Sequence, residues 1–159
     1  MTTLLDHLNK GISDLRPYEA GRSIDDVIAE YQPERVVKLA SNENPLGPSP
    51  KAIEALSGTN DDLHLYPDGD AKKLKSLIAA HESLETSNII IGNGSNEVLE
   101  LAARAFLNKE SSAVMSKHAF AVYKIVTQSS GAKIIEVPTI NWKHSLSDFH
   151  KFIDETTRV

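Results

Sequence analysis

Ile89-Ile90-Ile91-Gly92-Asn93-Gly94-Ser95-Asn96-Glu97-Val98-Leu99 runs an apolar stretch into two glycines and then opens a helical repeat. Gly92 and Gly94 let the backbone turn sharply and come close to a ligand. Ser95 and Asn96 put cap-type side chains and exposed N–H groups at a helix start, where the partial positive charge suits an anion. The segment reads as a phosphate cradle at the end of a strand. The same residues also fit an ordinary strand-to-helix turn capped by Ser or Asn, because glycine-rich turns of this kind recur in many folds. The neighbouring segments have to decide between them.

From Asp70 onward the chain alternates regularly. Apolar and polar spacing predicts a helix near residues 71–83, a strand over 88–91, a helix over 95–107, a strand over 113–116, a helix over 120–129, a strand over 133–137 and a last helix around 147–155. Short apolar strands separated by amphipathic helices imply an α/β fold, with a parallel sheet, helices on its faces and right-handed crossovers. Ligands in such sheets bind at the carboxyl ends of the strands. The stretches 92–96 and 117–120 both fall there, so two loops are expected to converge on one edge. Thr157-Arg158-Val159 stands where another strand would begin. A three-strand parallel sheet leaves an edge and an apolar face uncovered, and the chain is therefore expected to be a fragment.

The first third is richer in breakers. A short amphipathic segment at 4–12 precedes Leu15-Arg16-Pro17-Tyr18, and Ser23 with Asp26 marks a helix start whose Ile24, Val27, Ile28 and Tyr31 recur at helical spacing before Pro33. Val36-Val37-Lys38-Leu39 is a short strand candidate that runs into Ser41-Asn42-Glu43-Asn44-Pro45-Leu46-Gly47-Pro48, a loop by its turn chemistry. Ser49 and Pro50 then fit the cap and first turn of a helix through Leu56, with Gly58 as its stop. No internal repeat or low-complexity tract interrupts the chain.

Composition narrows the functional classes. The 159 residues, 40% hydrophobic and 25% charged, suffice for a domain with a real core. A net charge of −5 without Lys and Arg clusters argues against nucleic acid as a partner. Cysteine is absent, which excludes a disulfide framework and a thiolate metal site. No apolar run approaches the roughly 20 residues that span a bilayer, and Met1-Thr2-Thr3-Leu4-Leu5-Asp6 turns polar too early for a secretory leader, so the cytoplasm is the expected location and no membrane is involved. His7, His64, His81, His118, His144 and His150 lack metal-ligand spacing, so no metal is expected.

Arg16-Pro17-Tyr18, Leu39-Ala40-Ser41-Asn42-Glu43-Asn44-Pro45-Leu46-Gly47, Tyr66-Pro67-Asp68, Gly92-Asn93-Gly94-Ser95-Asn96-Glu97 and His118-Ala119-Phe120-Ala121-Val122-Tyr123 stand in this order along the chain. Together they resemble the N-terminal portion of the histidinol-phosphate aminotransferase family, class I/II aminotransferases of the fold-type I pyridoxal-phosphate group. The resemblance covers essentially the whole chain and about the first half of a full-length member. It implies that residues 1–69 form an N-terminal arm with part of the small domain, and that residues 70–159 form the first half of the large cofactor-binding α/β domain. It also implies pyridoxal 5′-phosphate as cofactor, with Gly94, Ser95 and Asn96 donating to its phosphate and Phe120 stacked on its pyridine ring. Tyr66 would reach the phosphate of a neighbouring subunit, hence a homodimer with shared sites. Tyr18 would contact the substrate phosphate and Asn42 would line the substrate pocket. For Glu43 and Asn44, turn residues bonding their own loop are an equal expectation.

By the same resemblance the substrates are histidinol phosphate and glutamate or 2-oxoglutarate. The family's Schiff-base lysine, the aspartate for the pyridine nitrogen, the asparagine loop and the carboxylate-binding arginine all lie beyond the equivalent of Val159. Lys117 precedes the stacking aromatic and matches no lysine motif, so a solvated loop lysine is expected there. No catalytic residue is assigned within the chain, and the chain alone is expected to be inactive. A threonine-phosphate decarboxylase or an aromatic or broad-specificity aminotransferase would share the Gly-Ser-Asn cradle and the aromatic. A non-catalytic phosphate-binding or interaction module is the alternative outside enzymes.

Overall fold

The structure, a computed structural model, describes Asp6, Leu8 and residues 11–58 and 63–159. By compactness the chain divides into one unit of Met1–Tyr18 with Ser87–Val159 and a second of Glu19–Thr86.

The first unit holds the α/β pattern. Helix α4 (Ser95–Phe106), strand β1 (Ser112–Ser116), helix α5 (Ala121–Ser129) and strand β2 (Lys133–Val137) follow within a residue or two of the spans that periodicity predicts; α1 (Ile24–Tyr31), α2 (Pro50–Ser57) and α3 (Lys72–Glu82) belong to the second unit. β1 and β2 pair in parallel from Ser112 with Lys133 to Ser116 with Val137, so α5 is the crossover between them. Ala103 and Leu107 of α4 and its end meet Ala113 and Met115 of β1 and Ala132 in one buried cluster, against which Val126 and Ile134 pack. Alanines at 103, 113 and 132 bring helix and sheet close, and the cluster removes part of the apolar surface of both helices from water, while Val98, Leu101 and Phe106 of α4 and Tyr123 of α5 stay exposed. Lys124 of α5 forms an ion pair with Glu136 of β2 across the crossover.

The helix directions follow from these lengths. A 12-residue helix rises about 18 Å and a five-residue strand about 17 Å. α4 passes to β1, and α5 to β2, through only a few residues, and each packs back on the strand it precedes. Both helices therefore begin at the carboxyl edge of the sheet.

Three expected elements differ. Residues 88–91 form no strand: Thr86–Asn88 is a 3-10 turn, and the isoleucines that follow have no strand beside them among the described residues to complete a ladder. The last helix shortens to α6 (Leu146–Phe149): after it the Lys151 N–H donates to the Asp148 carbonyl at 3.0 Å and the Phe152 N–H to the Phe149 carbonyl at 2.9 Å, three-residue turns in place of the helical ladder, and Asp154 then accepts the Thr156 N–H at 2.8 Å in a separate turn. The chain then lies along the free edge of β1: the Ser112 N–H donates to the Thr156 carbonyl at 2.9 Å and the Arg158 N–H to the Ser112 carbonyl at 3.0 Å. Residues 36–39 of the second unit form no strand either, since no strand pairs with them among the described residues, and Leu39 stays exposed.

The second unit is helical and loop-rich. α1 (Ile24–Tyr31) starts at Ser23, whose hydroxyl accepts the Asp26 N–H at 3.0 Å. α2 (Pro50–Ser57) starts with proline in its first turn and ends at Gly58, and α3 (Lys72–Glu82) lies within the span 71–83. The expected segment 4–12 falls largely outside the described residues.

Candidate functional site

The start of α4 is built by two glycines with different tasks. Gly94, the N-cap, sits at φ 81° and ψ 174°, a region that only glycine occupies readily, and a Cβ built on it would meet nothing within 4 Å. Gly92 is tight instead: a Cβ there would lie 2.9 Å from Cγ2 of Val98 and 3.1 Å from Oε2 of Glu97. The Gly94 N–H donates to the Gly92 carbonyl at 2.9 Å, and the Asn93 N–H donates to Oε2 of Glu97 at 2.5 Å. Gly94 thus lends room rather than its own N–H. The N–H groups of the first turn, from Ser95 to Glu97, have no helical acceptor, and no side chain caps them from the N-cap position. Exposed donors, a dipole end and open space above a glycine are what an oxyanion requires.

The second loop at the same edge leaves β1 at Ser116. The Ala119 N–H turns back to the Ser116 carbonyl at 3.0 Å, and Phe120 then becomes the N-cap of α5. Tyr18 meets Phe120 edge-on, so the structure brings one expected substrate contact against the expected ring-stacking residue. Lys117 is exposed. Nδ1 of His118 lies 2.7 Å from the Thr139 hydroxyl, and its ring packs on Trp142 with centroids 4.6 Å apart. No motif or spacing points to this pair, which joins the loops after β1 and β2.

Asn42 and Tyr66 belong to the second unit. Asn42 occupies a left-handed turn position beside Ser41, at φ 53° and 71°, and Tyr66 is fully exposed. Asn44 follows the turn reading: its side chain accepts the Leu46 N–H at 3.0 Å and donates to the Gly47 carbonyl at 3.2 Å. Glu43 pairs with Lys38 at 2.5 Å. Asp68, next to Tyr66, has a local task that the sequence reading missed, accepting the Asp70 N–H at 3.1 Å and the Lys72 N–H at 3.0 Å at the start of α3. An aspartate four residues ahead of Lys72 was the available signal.

Among the described residues no three His, Asp or Glu gather into a metal-binding group. Also among them, no helix is long and apolar enough to cross a membrane.

The model of the family "Aminotransferase class I and II" matches residues 34–159. Histidinol-phosphate aminotransferase 2 of Pseudomonas fluorescens is 49% identical over 151 residues, a match covering 94% of this chain and 41% of that protein. Histidinol-phosphate aminotransferase of Methylobacillus flagellatus is 42% identical over the whole chain and 44% of its own length. The chain thus spans about two fifths of the length of the curated relatives it matches. Among solved structures, histidinol-phosphate aminotransferase from Sinorhizobium meliloti in complex with pyridoxal-5′-phosphate superposes with a TM-score of 0.72 at 20% identity, over 85% of this chain and 36% of that one. That likeness shows the fold, part of a fold-type I aminotransferase.

Proposed function

The chain belongs to the class I and II aminotransferases, and from that premise we propose that it is the N-terminal part of a pyridoxal-phosphate-dependent transaminase acting on histidinol phosphate and 2-oxoglutarate to give imidazole-acetol phosphate and glutamate. The observation that carries this reading is the first turn of α4, uncapped and entered through Gly94 with open space beside its α-carbon. It is the kind of site a cofactor phosphate fills. The choice of substrate is supported by the relatives, which are histidinol-phosphate aminotransferases.

When bound, pyridoxal 5′-phosphate supplies the electron sink that amino-group exchange requires. The chain's own residues bind and orient it. Ser95 and Asn96 donate N–H groups to the phosphate, Gly94 lets it approach, and Phe120 covers one ring face and keeps water off it. Tyr18 and Asn42 serve the substrate. Tyr66 reaches the phosphate of a second subunit, which makes the enzyme a homodimer. Residues 1–69 act as the arm with part of the small domain, residues 70–159 begin the large domain, and the enzyme works in the cytoplasm. We expect no turnover by the chain alone: Lys117, exposed in the loop that carries Phe120, matches no lysine motif of the family and takes no catalytic role.

The test has two arms. Equilibrium dialysis with pyridoxal 5′-phosphate compares the chain with its Gly94→Val variant. A hybrid of the chain with the remaining C-terminal residues of the Pseudomonas fluorescens relative is assayed for glutamate formation from histidinol phosphate and 2-oxoglutarate, with the chain alone as control. We expect binding that the substitution weakens, turnover by the hybrid and none by the chain. A chain that binds no cofactor, or a hybrid that instead releases carbon dioxide from threonine phosphate, overturns the reading.

A further inference from the structure

Glu97 folds its carboxylate back over the start of α4. It stands three residues after the N-cap Gly94, half-buried, and Oε2 accepts the Asn93 N–H at 2.5 Å. The same oxygen would lie 3.1 Å from a Cβ on Gly92, so Gly92 must be glycine partly to admit it. With the Gly94 N–H turned to the Gly92 carbonyl at 2.9 Å, residues 92–94 close a three-residue turn centred on Asn93. Two backbone donors are consumed inside this turn, and those of the first turn of α4 are left pointing outward. A carboxylate here is favoured by the helix dipole, yet it also places a negative charge beside a site that would receive an anion. Geometry and charge therefore pull anion affinity in opposite directions.

We propose that Glu97 is a positioning residue of the cradle: its carboxylate pins the Asn93 amide and so holds the Gly92–Gly94 turn open toward the cofactor phosphate. The proposal rests on the cradle reading of the proposed function. It assigns the benefit of Glu97 to the hydrogen bond it accepts, and it treats the charge as a cost that the site tolerates. A glutamine keeps the accepting oxygen and removes the charge. An alanine removes both.

The chain and its Glu97→Ala, Glu97→Gln and Glu97→Asp variants are compared in two measurements. The first is the Asn93 amide proton by NMR without ligand, its chemical shift and exchange protection reading the clamp directly. The second is the dissociation constant for pyridoxal 5′-phosphate. Expected are a low-field, protected Asn93 amide in wild type and in Glu97→Gln, and its loss in Glu97→Ala. Affinity is expected to fall about tenfold in Glu97→Ala, the size of a lost hydrogen bond to a charged group, and to equal or exceed wild type in Glu97→Gln. Should Glu97→Ala not fold, Glu97→Asp, with its charge kept and its reach shortened, is expected to lose both amide protection and affinity relative to Glu97→Gln. Equal or tighter binding by Glu97→Ala, or equal weakening in the alanine and glutamine variants, overturns the clamp. An unprotected Asn93 amide in a wild-type chain that binds cofactor overturns the clamp alone. A wild-type chain with a protected Asn93 amide and no affinity for the cofactor overturns the cradle reading, and the clamp's role with it.

Discussion

Tyr18 meets Phe120 edge-on, with ring centroids 5.7 Å apart and ring planes inclined by 73°. This arrangement sets the positive edge of one ring against the negative face of the other. It also ties the segment before the second unit to the N-cap of α5, the point from which Phe120 projects. A pair of this kind is worth about 0.5–1.5 kcal/mol beyond buried area. The stacking of Phe120 on the cofactor ring is worth a similar amount, so Phe120→Ala should weaken pyridoxal 5′-phosphate binding by up to about tenfold, and Phe120→Tyr should restore it. Tyr18→Phe keeps the ring contact and loses only the hydroxyl, so cofactor affinity should hold in dialysis while the phosphate-bearing substrate binds more weakly to the assembled enzyme. Equal loss of both affinities would place the Tyr18 hydroxyl outside the substrate contact.

Gly92 and Gly94 should respond differently to the same substitution. Alanine at Gly92 meets Val98, a β-branched residue whose rotamer the helix fixes, at 2.9 Å. The cost should be about 1–3 kcal/mol of overpacking, and it should shrink when Val98→Ala is added. Alanine at Gly94 has open space but inherits φ 81°, a backbone cost of about 1–3 kcal/mol that Val98→Ala leaves untouched. A double-mutant cycle in urea reads this directly, with coupling for 92 with 98 and none for 94 with 98. Coupling at both positions would mean that Gly94 is constrained by packing.

The reach of the sequence can be judged from the same residues. Helices and strands whose partners lie nearby were legible: Ser23 with Asp26, Ser49 with Pro50, and the 95–137 alternation all carry their signals locally. The isoleucines at 89–91 looked like a strand because apolar β-branched runs favour one, yet a strand also needs a neighbour, which periodicity does not encode. The last helix stops short because three-residue turns replace the helical ladder after Phe149, and beyond them Asp154 offers the backbone a competing acceptor. At the site, glycine and cap chemistry pointed to the start of α4. The return of Glu97 onto Asn93 and the packing of His118 on Trp142 depend on side-chain direction, which spacing alone leaves open.

The turn at Asp154 should make the edge of β1 sensitive to acid. Hydrogen bonds from the Thr156 hydroxyl and N–H hold the Asp154 carboxyl below its ordinary range, with the Thr157 hydroxyl and Lys133 contributing and desolvation opposing. A carboxyl lowered in the folded state adds stability that is present above its unfolded pKa and lost as pH falls through the folded one. The loss should therefore begin near about pH 4 and continue downward. Protection of the Arg158 amide, which donates to Ser112 at 3.0 Å, is the local readout. It should fall over that window in wild type. In Asp154→Ala, which removes the accepting oxygens, it should be low already at neutral pH and change little with acid, and a variant that kept the wild-type profile would take Asp154 out of the linkage.

Tyr66 is fully exposed within its own unit, which suits a side chain whose partner is another molecule. If it serves the phosphate of a second subunit, each site needs two chains, and lesions in Tyr66 and in Gly94 can be separated by mixing. Consider a dimer of assembled enzyme with Tyr66→Phe in one subunit and Gly94→Val in the other. The subunit with the sound cradle then receives an intact tyrosine from its partner, and the damaged cradle receives phenylalanine. One complete site survives beside one doubly defective site. If Tyr66 instead served its own subunit, the sound cradle would face phenylalanine and the damaged cradle would keep its tyrosine, leaving no complete site. Purified mixed dimers should therefore retain one equivalent of pyridoxal 5′-phosphate at wild-type affinity and about half the wild-type activity. Retention no tighter than in the Tyr66→Phe homodimer would place Tyr66 in its own subunit's site or outside both, and the shared site would be abandoned.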